Sequence, residues 1–151
     1  MKLDVVPESL LERALLAAGA IPRPLAHTMI AMLMSRTILA AVKVGVFEEL
    51  QSGPQSTESL ASKCGLDVRA CEKVLRALSG LGYVTDGARG YGLTPMSRKW
   101  VGSNAKSDLT EALLHRYLDM KLMNHAEEYL SSGESVDFHR VLSADDWRIY
   151  M

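Results

Sequence analysis

The spacing of apolar side chains predicts three main helices of different character in the first half of the chain. The first helix runs from about Pro7 to Ala18, and prolines at 22 and 24 interrupt the helical pattern after it. The second runs from about Leu25 to Val44, with apolar residues pointing in nearly every direction around its axis. The third starts after Asp67 and reaches about Leu81, with its apolar side chains on one face. A helix that is apolar all round must be covered on more than one side, so we expect a second subunit to cover the second helix.

The residues around the third helix predict a helix-turn-helix followed by a hairpin. Thr57 is placed to cap a short helix that ends at Cys64, Gly65 has the left-handed freedom to close it, and Asp67 caps the next helix. Two short β runs, 83–85 and 91–93, flank a polar, glycine-containing turn. Helix, tight turn, helix and hairpin in this order are typical of a winged helix-turn-helix. The predicted fold class is therefore mainly α with a small β hairpin and long flanking helices.

The second half of the chain is predicted to be helical as well. A short helix follows Pro95 and reaches Trp100, and a long helix extends from Ser107 or Asp108 to about Leu130. The segment Ser143–Asp146 then begins a further helix, one turn before the sequence stops. We therefore expect the sequence to be a truncation of a longer protein.

Composition and charge exclude several classes of protein. With 151 residues, 48% hydrophobic and 23% charged, the chain is expected to form one globular domain, or one compact unit with an extra helical arm. A formal net charge of −1 excludes a strongly basic nucleic-acid protein, although residues 56–100 carry +3 and residues 101–151 carry −4. Ser35, Arg36 and Lys43 interrupt the longest apolar stretch, and the acidic N-terminal region does not resemble a signal peptide. The expectation is a cytoplasmic protein without a membrane partner.

Reactive or metal-binding chemistry is not predicted from the residue spacing. Cys64 and Cys71 lack the spacing of a zinc site, and we expect them to be unreactive core thiols. The four histidines are never three or four residues apart, so no helical metal pair is expected. A Gly-x-Ser-x-Gly nucleophile elbow is also absent from the sequence.

Four segments carry a resemblance to a known family: residues 41–50 (AVKVGVFEEL), 57–66 (TESLASKCGL), 74–84 (VLRALSGLGYV) and 91–95 (YGLTP). Together they resemble the N-terminal dimerisation domain of two-domain SAM-dependent O-methyltransferases. The resemblance extends over roughly residues 28–150.

This resemblance implies a domain organisation and a set of partners. Residues 1–24 would be a helical arm, residues 25–102 the winged-helix dimerisation domain, and residues 103–151 a long helix and linker to a SAM-binding domain. The chain would form a homodimer and help to enclose a small aromatic or polyketide-like acceptor. The implied acceptor-binding residues are Met32, Arg36, His115, Met120, Met123 and Asn124. For Met32 and Arg36 the alternative is packing in the dimer interface, which is the favoured role of Met32.

The cofactor of such an enzyme is SAM, but this chain is not expected to bind it. No acidic-x-Gly-x-Gly-x-Gly loop occurs in the sequence, and Gly80-Leu-Gly82 follows a predicted helix instead of a strand. We therefore expect neither a bound cofactor nor a catalytic residue in these 151 residues.

Two alternative functions remain at this point. In a DNA-binding transcriptional regulator, Arg69, Lys73 and Arg76 on the third helix would contact phosphates. The predicted hairpin adds only Arg89, so nucleic acid is not the favoured partner. The third candidate is a stand-alone dimeric module that binds a small molecule.

Overall fold

The computed structural model describes residues 6–150, and for residues 149 and 150 it describes the backbone alone. Within that part of the chain it is mainly helical, with one two-stranded antiparallel sheet, as the sequence predicts. The helices and strands are α1 (Leu10–Ala17), α2 (Arg23–Lys43), α3 (Val46–Glu49), a 3-10 turn (Leu50–Ser52), α4 (Thr57–Cys64), α5 (Val68–Gly80), β1 (Val84–Gly87), β2 (Gly90–Leu93), α6 (Pro95–Trp100), α7 (Thr110–Met123), α8 (Ala126–Ser132), α9 (Phe138–Val141) and α10 (Ala144–Tyr150).

The chain divides into two compact units, Met1–Arg36 and Thr37–Met151. The second unit contains a hydrophobic core built around the helix-turn-helix. Its largest buried side chains are at most 2% exposed and come from α3, the 3-10 turn, α4, α5 and β1: Phe47, Leu50, Leu60, Leu75, Leu78, Val46 and Val84. Leu118 of α7 is also 2% exposed but lies outside this cluster.

The predicted tight turn between α4 and α5 is present. Gly65 ends α4 with φ 64°, and the Leu66 amide donates to the Ala61 carbonyl over 2.8 Å. The Asp67 carboxylate accepts the Ala70 N–H over 2.9 Å and so fixes the first turn of α5. The left-handed turn at Gly65 and the Asp67 cap together determine the direction in which α5 follows α4.

The hairpin is held against the segment that precedes α4. Val84 pairs with Leu93 and Gly87 with Gly90, which leaves a two-residue turn. Gln55 and Tyr91 exchange two backbone hydrogen bonds, each of 2.9 Å. At Gly90 φ is 93°, and a Cβ atom there would lie 2.3 Å from the Gln55 carbonyl oxygen, so this position requires glycine.

The starts of α1, α2 and α4 differ from the prediction. Helix α1 begins at Leu10, three residues later than predicted, because the Ser9 hydroxyl caps it by accepting the Glu12 N–H. Ser56, not Thr57, is the residue whose side chain caps α4, since it accepts the Ser59 N–H over 3.2 Å. Helix α2 begins at Arg23, two residues earlier than predicted, because Pro24 falls in its first turn, where a proline needs no amide partner.

The long helix predicted from Ser107 or Asp108 to Leu130 is wrong in its length and its start. It begins at Thr110, where Asp108 accepts the Thr110 N–H over 2.8 Å, and it is divided into α7 and α8. The His125 amide donates to the Leu122 carbonyl three residues back, which tightens the chain between the two helices. Helix α9, capped by Asp137, was not predicted.

The first unit contains α1 and the first part of α2. By length and composition α2 is long and apolar enough to cross a membrane, a test that a core helix of a soluble protein also passes. Its apolar residues from Met29 to Met34 are between 38% and 59% exposed in the single chain. The cover that the sequence predicts for these residues is thus not seen among residues 6–36 of the same unit.

Candidate functional site

Four of the predicted acceptor-binding residues lie on α7 or directly after it. His115 and Met120 are half-buried, Met123 is 69% exposed, and Asn124 is the exposed residue that ends the helix. At 100° per residue, Met120, Met123 and Asn124 fall within a sector of about 100°, and His115 lies about 80° outside it. Leu118, on the opposite side of α7, is 2% exposed. The two methionines and Asn124 therefore share the side of α7 opposite the buried Leu118.

The other two predicted residues lie on α2, in the first unit. Met32 is 59% exposed, and Arg36 is exposed one helical turn further on. The structure thus places Met32 and Arg36 on one face of α2, and the three α7 residues on one face of a helix in the other unit.

The predicted basic residues of the third helix form an exposed face on α5. Arg69, Lys73 and Arg76 are exposed, while Cys71, Leu75 and Leu78 on the opposite side are at most 1% exposed. A guanidinium nitrogen of Arg76 lies 2.6 Å from the Glu72 carboxylate one turn earlier. This pairing reduces the positive charge that the face presents.

A buried carboxylate that was not predicted from the sequence joins two helices. Asp146 of α10 is 7% exposed, and its two carboxylate oxygens accept hydrogen bonds from the Lys121 ammonium of α7 over 2.7 and 2.5 Å. The Ser143 hydroxyl and amide also donate to this carboxylate, over 2.7 and 2.8 Å. These bonds, those from Lys121 first, lower the pKa of Asp146 from its ordinary 3.8 to about 2.

The contact between Ser143 and Asp146 can be recognised from the sequence. Ser143 and Asp146 stand three residues apart, and the Asp146 N–H in turn donates to the Ser143 hydroxyl over 3.3 Å. This is a capping box with aspartate in the third helical position. The contact with Lys121 has no such signal, because the two residues are 25 positions apart.

A second charged cluster links α8 to α9. One nitrogen of the Arg140 guanidinium donates to both oxygens of the Glu128 carboxylate over 2.7 and 2.8 Å, and His125 Nδ1 lies 3.1 Å from one of them. The bonds from Arg140 and His125 lower the pKa of Glu128. An open cavity of about 240 Å³ lies beside this cluster, and its lining contains none of the predicted acceptor-binding residues. The cluster holds neighbouring helices together and provides no nucleophile.

The thiols are placed as the sequence predicts for core residues. Cys71 is buried and Cys64 is half-buried, and burial raises the pKa of both thiols. Because the thiolate is the reactive form, both thiols are poor nucleophiles. Among residues 6–150, no group of three or more His, Cys, Asp or Glu side chains is placed to hold a metal ion.

Comparison with known proteins gives the family. The profile of the O-methyltransferase dimerisation domain matches residues 26–103, which is more than half of the chain and runs from α2 to the segment after α6. The chain belongs to this family.

Individual relatives agree with this assignment. The phenazine O-methyltransferase PhzM of Lysobacter antibioticus is 26% identical over 103 residues, 65% of this chain and 30% of the relative. The O-methyltransferase SfmM3 of Streptomyces lavendulae is 31% identical over 85 residues, 56% of this chain and 25% of the relative. This chain thus matches about a quarter to a third of the length of these relatives.

A solved structure shows the same fold. The mitomycin 7-O-methyltransferase MmcR matches with a TM-score of 0.73 at 18% identity, over 89% of this chain and 43% of that one. The comparisons favour the methyltransferase family over the transcriptional regulator.

Proposed function

We propose that this chain is the dimerisation and acceptor-pocket part of a SAM-dependent O-methyltransferase that works as a homodimer on a small aromatic or polyketide-like molecule. The observation that carries the proposal is the family match over residues 26–103, which includes an α2 helix with unburied apolar side chains. In this proposal the chain alone catalyses no reaction.

The exposed residues of α2 support the homodimer. Met29, Ile30, Met32 and Leu33 are between 44% and 59% exposed in the single chain, and they point in several directions around the helix. Burial of each of these side chains in an interface would contribute roughly 25 cal/mol of stabilising free energy for every Å² of apolar surface removed from water. A second copy of the chain supplies that cover in a dimerisation domain.

The methionines of α2 and α7 support a pocket for a flat apolar acceptor. Met32, Met120 and Met123 have unbranched, polarisable side chains that adapt to a ring system. Arg36, His115 and Asn124 add polar groups that orient the acceptor through its substituents. Two of the relatives are named as methyltransferases of phenazine and mitomycin, which are ring compounds.

The residues of this chain do not fit SAM. Gly80 ends α5 and Gly82, with φ 76°, leads into β1, so the segment runs from a helix into a strand. A dinucleotide-type glycine loop runs from a strand into a helix, whose N-terminus then faces the ligand. We therefore place SAM binding and the catalytic base in a separate domain of the parent enzyme, and the chain in the cytoplasm without nucleic-acid or membrane partners.

Calorimetric titration of the 151-residue chain with SAM, together with sedimentation equilibrium, tests this function. We expect a dimer and no heat of SAM binding. Stoichiometric SAM binding would contradict the assignment of SAM binding to a separate domain. A monomer at all concentrations would contradict the dimer. Sequencing of the gene downstream of codon 151 adds an independent test, since the proposal expects an acidic-x-Gly-x-Gly-x-Gly loop there.

A further inference from the structure

The side chain of Lys121 is half exposed, and yet its ammonium group is fixed in position. The side chain is 48% exposed, whereas the carboxylate of Asp146, to which the ammonium donates through both oxygens, belongs to a side chain that is 10% exposed. Lys63 of α4 is a useful comparison, because it is 47% exposed but lies 3.3 Å from one oxygen of Glu49, which is 37% exposed. Since the Ser143 hydroxyl and amide hold Asp146 in turn, the carboxylate under Lys121 cannot follow a moving lysine.

The fixed ammonium keeps part of its capacity to donate hydrogen bonds. A lysine ammonium has three N–H donors, and the two oxygens of Asp146 take two of them. Within residues 6–148, whose side chains the structure describes, the hydrogen bonds of this ammonium all go to Asp146. The third N–H is therefore available to a ligand.

Lys121 borders the face of α7 that carries the predicted acceptor-binding residues. Around the helix axis it lies about 60° from Asn124 and about 60° from the buried Leu118. It thus lies between the core side of α7 and the face formed by Met120, Met123 and Asn124, on the side where α10 packs. A ring compound bound on this face would have the Lys121 side chain at its edge.

We propose that Lys121 binds a neutral oxygen substituent of the acceptor, a carbonyl or a hydroxyl group, and that Asp146 positions Lys121 for this contact. The inference rests on the proposed acceptor pocket on α7. The ion pair has no net charge, so an anionic substituent is attracted by Lys121 and repelled by Asp146. A neutral oxygen accepts a charge-assisted hydrogen bond from the ammonium without this repulsion. The pair therefore selects flat ring compounds with a neutral oxygen over ring compounds with a carboxylate.

Three probes test the contact in the full 151-residue chain: naphthalene, 1-naphthol and 1-naphthoate, which at neutral pH carry no oxygen, a neutral oxygen and an anion. Titrations are followed through the ¹³C-methyl NMR signals of the methionines. Lys121→Met removes the donor but keeps an unbranched side chain of good helix propensity, and Lys63→Met is the control with a lysine of matched exposure. We expect the preference for 1-naphthol over naphthalene, as a ratio of Kd values, to fall about 5-fold in Lys121→Met and less than about 2-fold in Lys63→Met.

The role of Asp146 is tested by its charge. Asp146→Asn removes the carboxylate that repels an anion, so we expect this variant to bind 1-naphthoate about 5-fold more tightly than the wild type. Asp145→Asn changes the net charge equally on the same helix, but its side chain is 84% exposed and pairs with Arg148, so we expect a change of less than about 2-fold. Circular dichroism is expected to show the same helix content in all variants and the wild type.

The outcomes separate this inference from the proposed function. A wild-type chain that binds none of the three probes would overturn the proposed acceptor pocket and this inference with it. Binding of the probes with an unchanged preference for 1-naphthol in Lys121→Met would overturn the role of Lys121 alone. If Lys121→Met or Asp146→Asn weakens the binding of all three probes equally, the ion pair only supports the packing of α10 on α7, and the proposed selection of a neutral oxygen is wrong.

Discussion

Helices α5 and α2 both carry many apolar side chains, but the two helices use them differently. In α5 the apolar residues lie on one face, and Cys71, Leu75 and Leu78 are at most 1% exposed within the chain. In the first part of α2 they lie on all sides, and Met32 and Leu33 are 59% and 54% exposed.

The difference is visible in the sequence pattern alone. A one-sided pattern can be satisfied by packing against the rest of the same chain, as α5 does against α4 and the hairpin. An all-round pattern needs cover from two directions, and among the described residues Met32 and Leu33 stay exposed. A one-sided apolar pattern thus fits packing inside the chain, whereas an all-round pattern favours the additional interface that we propose for α2.

The largest expected effect comes from the buried face of α5. Leu75→Ala removes a fully buried side chain and leaves a cavity, so we expect the free energy of unfolding to fall by about 2–5 kcal/mol. Urea denaturation measures the loss, with Lys73→Ala on the exposed face as the control, for which we expect a change within about 0.5 kcal/mol. Equal losses of unfolding free energy in the two variants would contradict the conclusion that only one face of α5 stabilises the fold.

The corresponding experiment on α2 is Leu33→Glu. Because Leu33 is half exposed in the single chain, a charge there is compatible with the fold but not with a buried apolar interface. We expect the dimer Kd to rise about 100-fold in sedimentation equilibrium while the helix content stays unchanged. Ala77→Glu, on the exposed side of α5, is the matched control. An intact dimer of Leu33→Glu would show that α2 is not covered by a second copy.

A smaller effect is expected at the ion pair between α7 and α10. Asp146→Asn removes the charge that binds Lys121, so we expect the Tm to fall by several degrees at neutral pH. Asp145→Asn is the control, because its ion pair with Arg148 is solvent-exposed. Scanning calorimetry of both variants measures the difference.

The pH dependence of this effect has a definite direction. The pKa of Asp146 is about 2 in the folded chain and has an ordinary value of 3.8, so its charge stabilises the fold fully above pH 3.8. This contribution is lost as the pH falls from 3.8 towards 2. The Tm values of wild type and Asp146→Asn should therefore converge over this range, and a constant difference would contradict the assignment.

The smallest effect concerns the polar face of α5. Arg76→Ala breaks an exposed pair with Glu72 one turn apart, which is worth about 0.5 kcal/mol or less. We expect urea denaturation to show a change within that limit, and the dimer Kd to stay the same. A large rise in Kd would show that this face also lies in an interface.

The sequence was most informative where neighbouring residues determine the structure. Asp67, Gly65 and the one-sided pattern of α5 predict the helix-turn-helix, because caps and turns act over three or four residues. The division between α7 and α8 was not predicted, since Asn124 and His125 include neither proline nor glycine. Asn124 alone is weak evidence for a helix end, and the continuous apolar pattern on both sides of it favours one long helix.

The candidate site was predictable only in part. The acceptor-binding role of Met120, Met123, Asn124 and His115 stays a prediction from the family resemblance. The structure places the first three opposite the buried Leu118 and His115 outside that face. The role of Asp146 was not predictable, because its partner Lys121 is brought close only by the packing of α10 on α7. Contacts between residues that are distant in the sequence depend on the tertiary fold.

The shielded thiols have a practical consequence for labelling. Cys71 is buried, Cys64 is half-buried, and the pKa of each is raised, so maleimide reagents will modify both slowly at neutral pH. A cysteine introduced in the exposed turn of the hairpin, for example by Ala88→Cys, will react much faster. Fluorophores or spin labels can therefore be attached at one chosen position without first replacing the native cysteines, and subunit exchange can be followed by energy transfer.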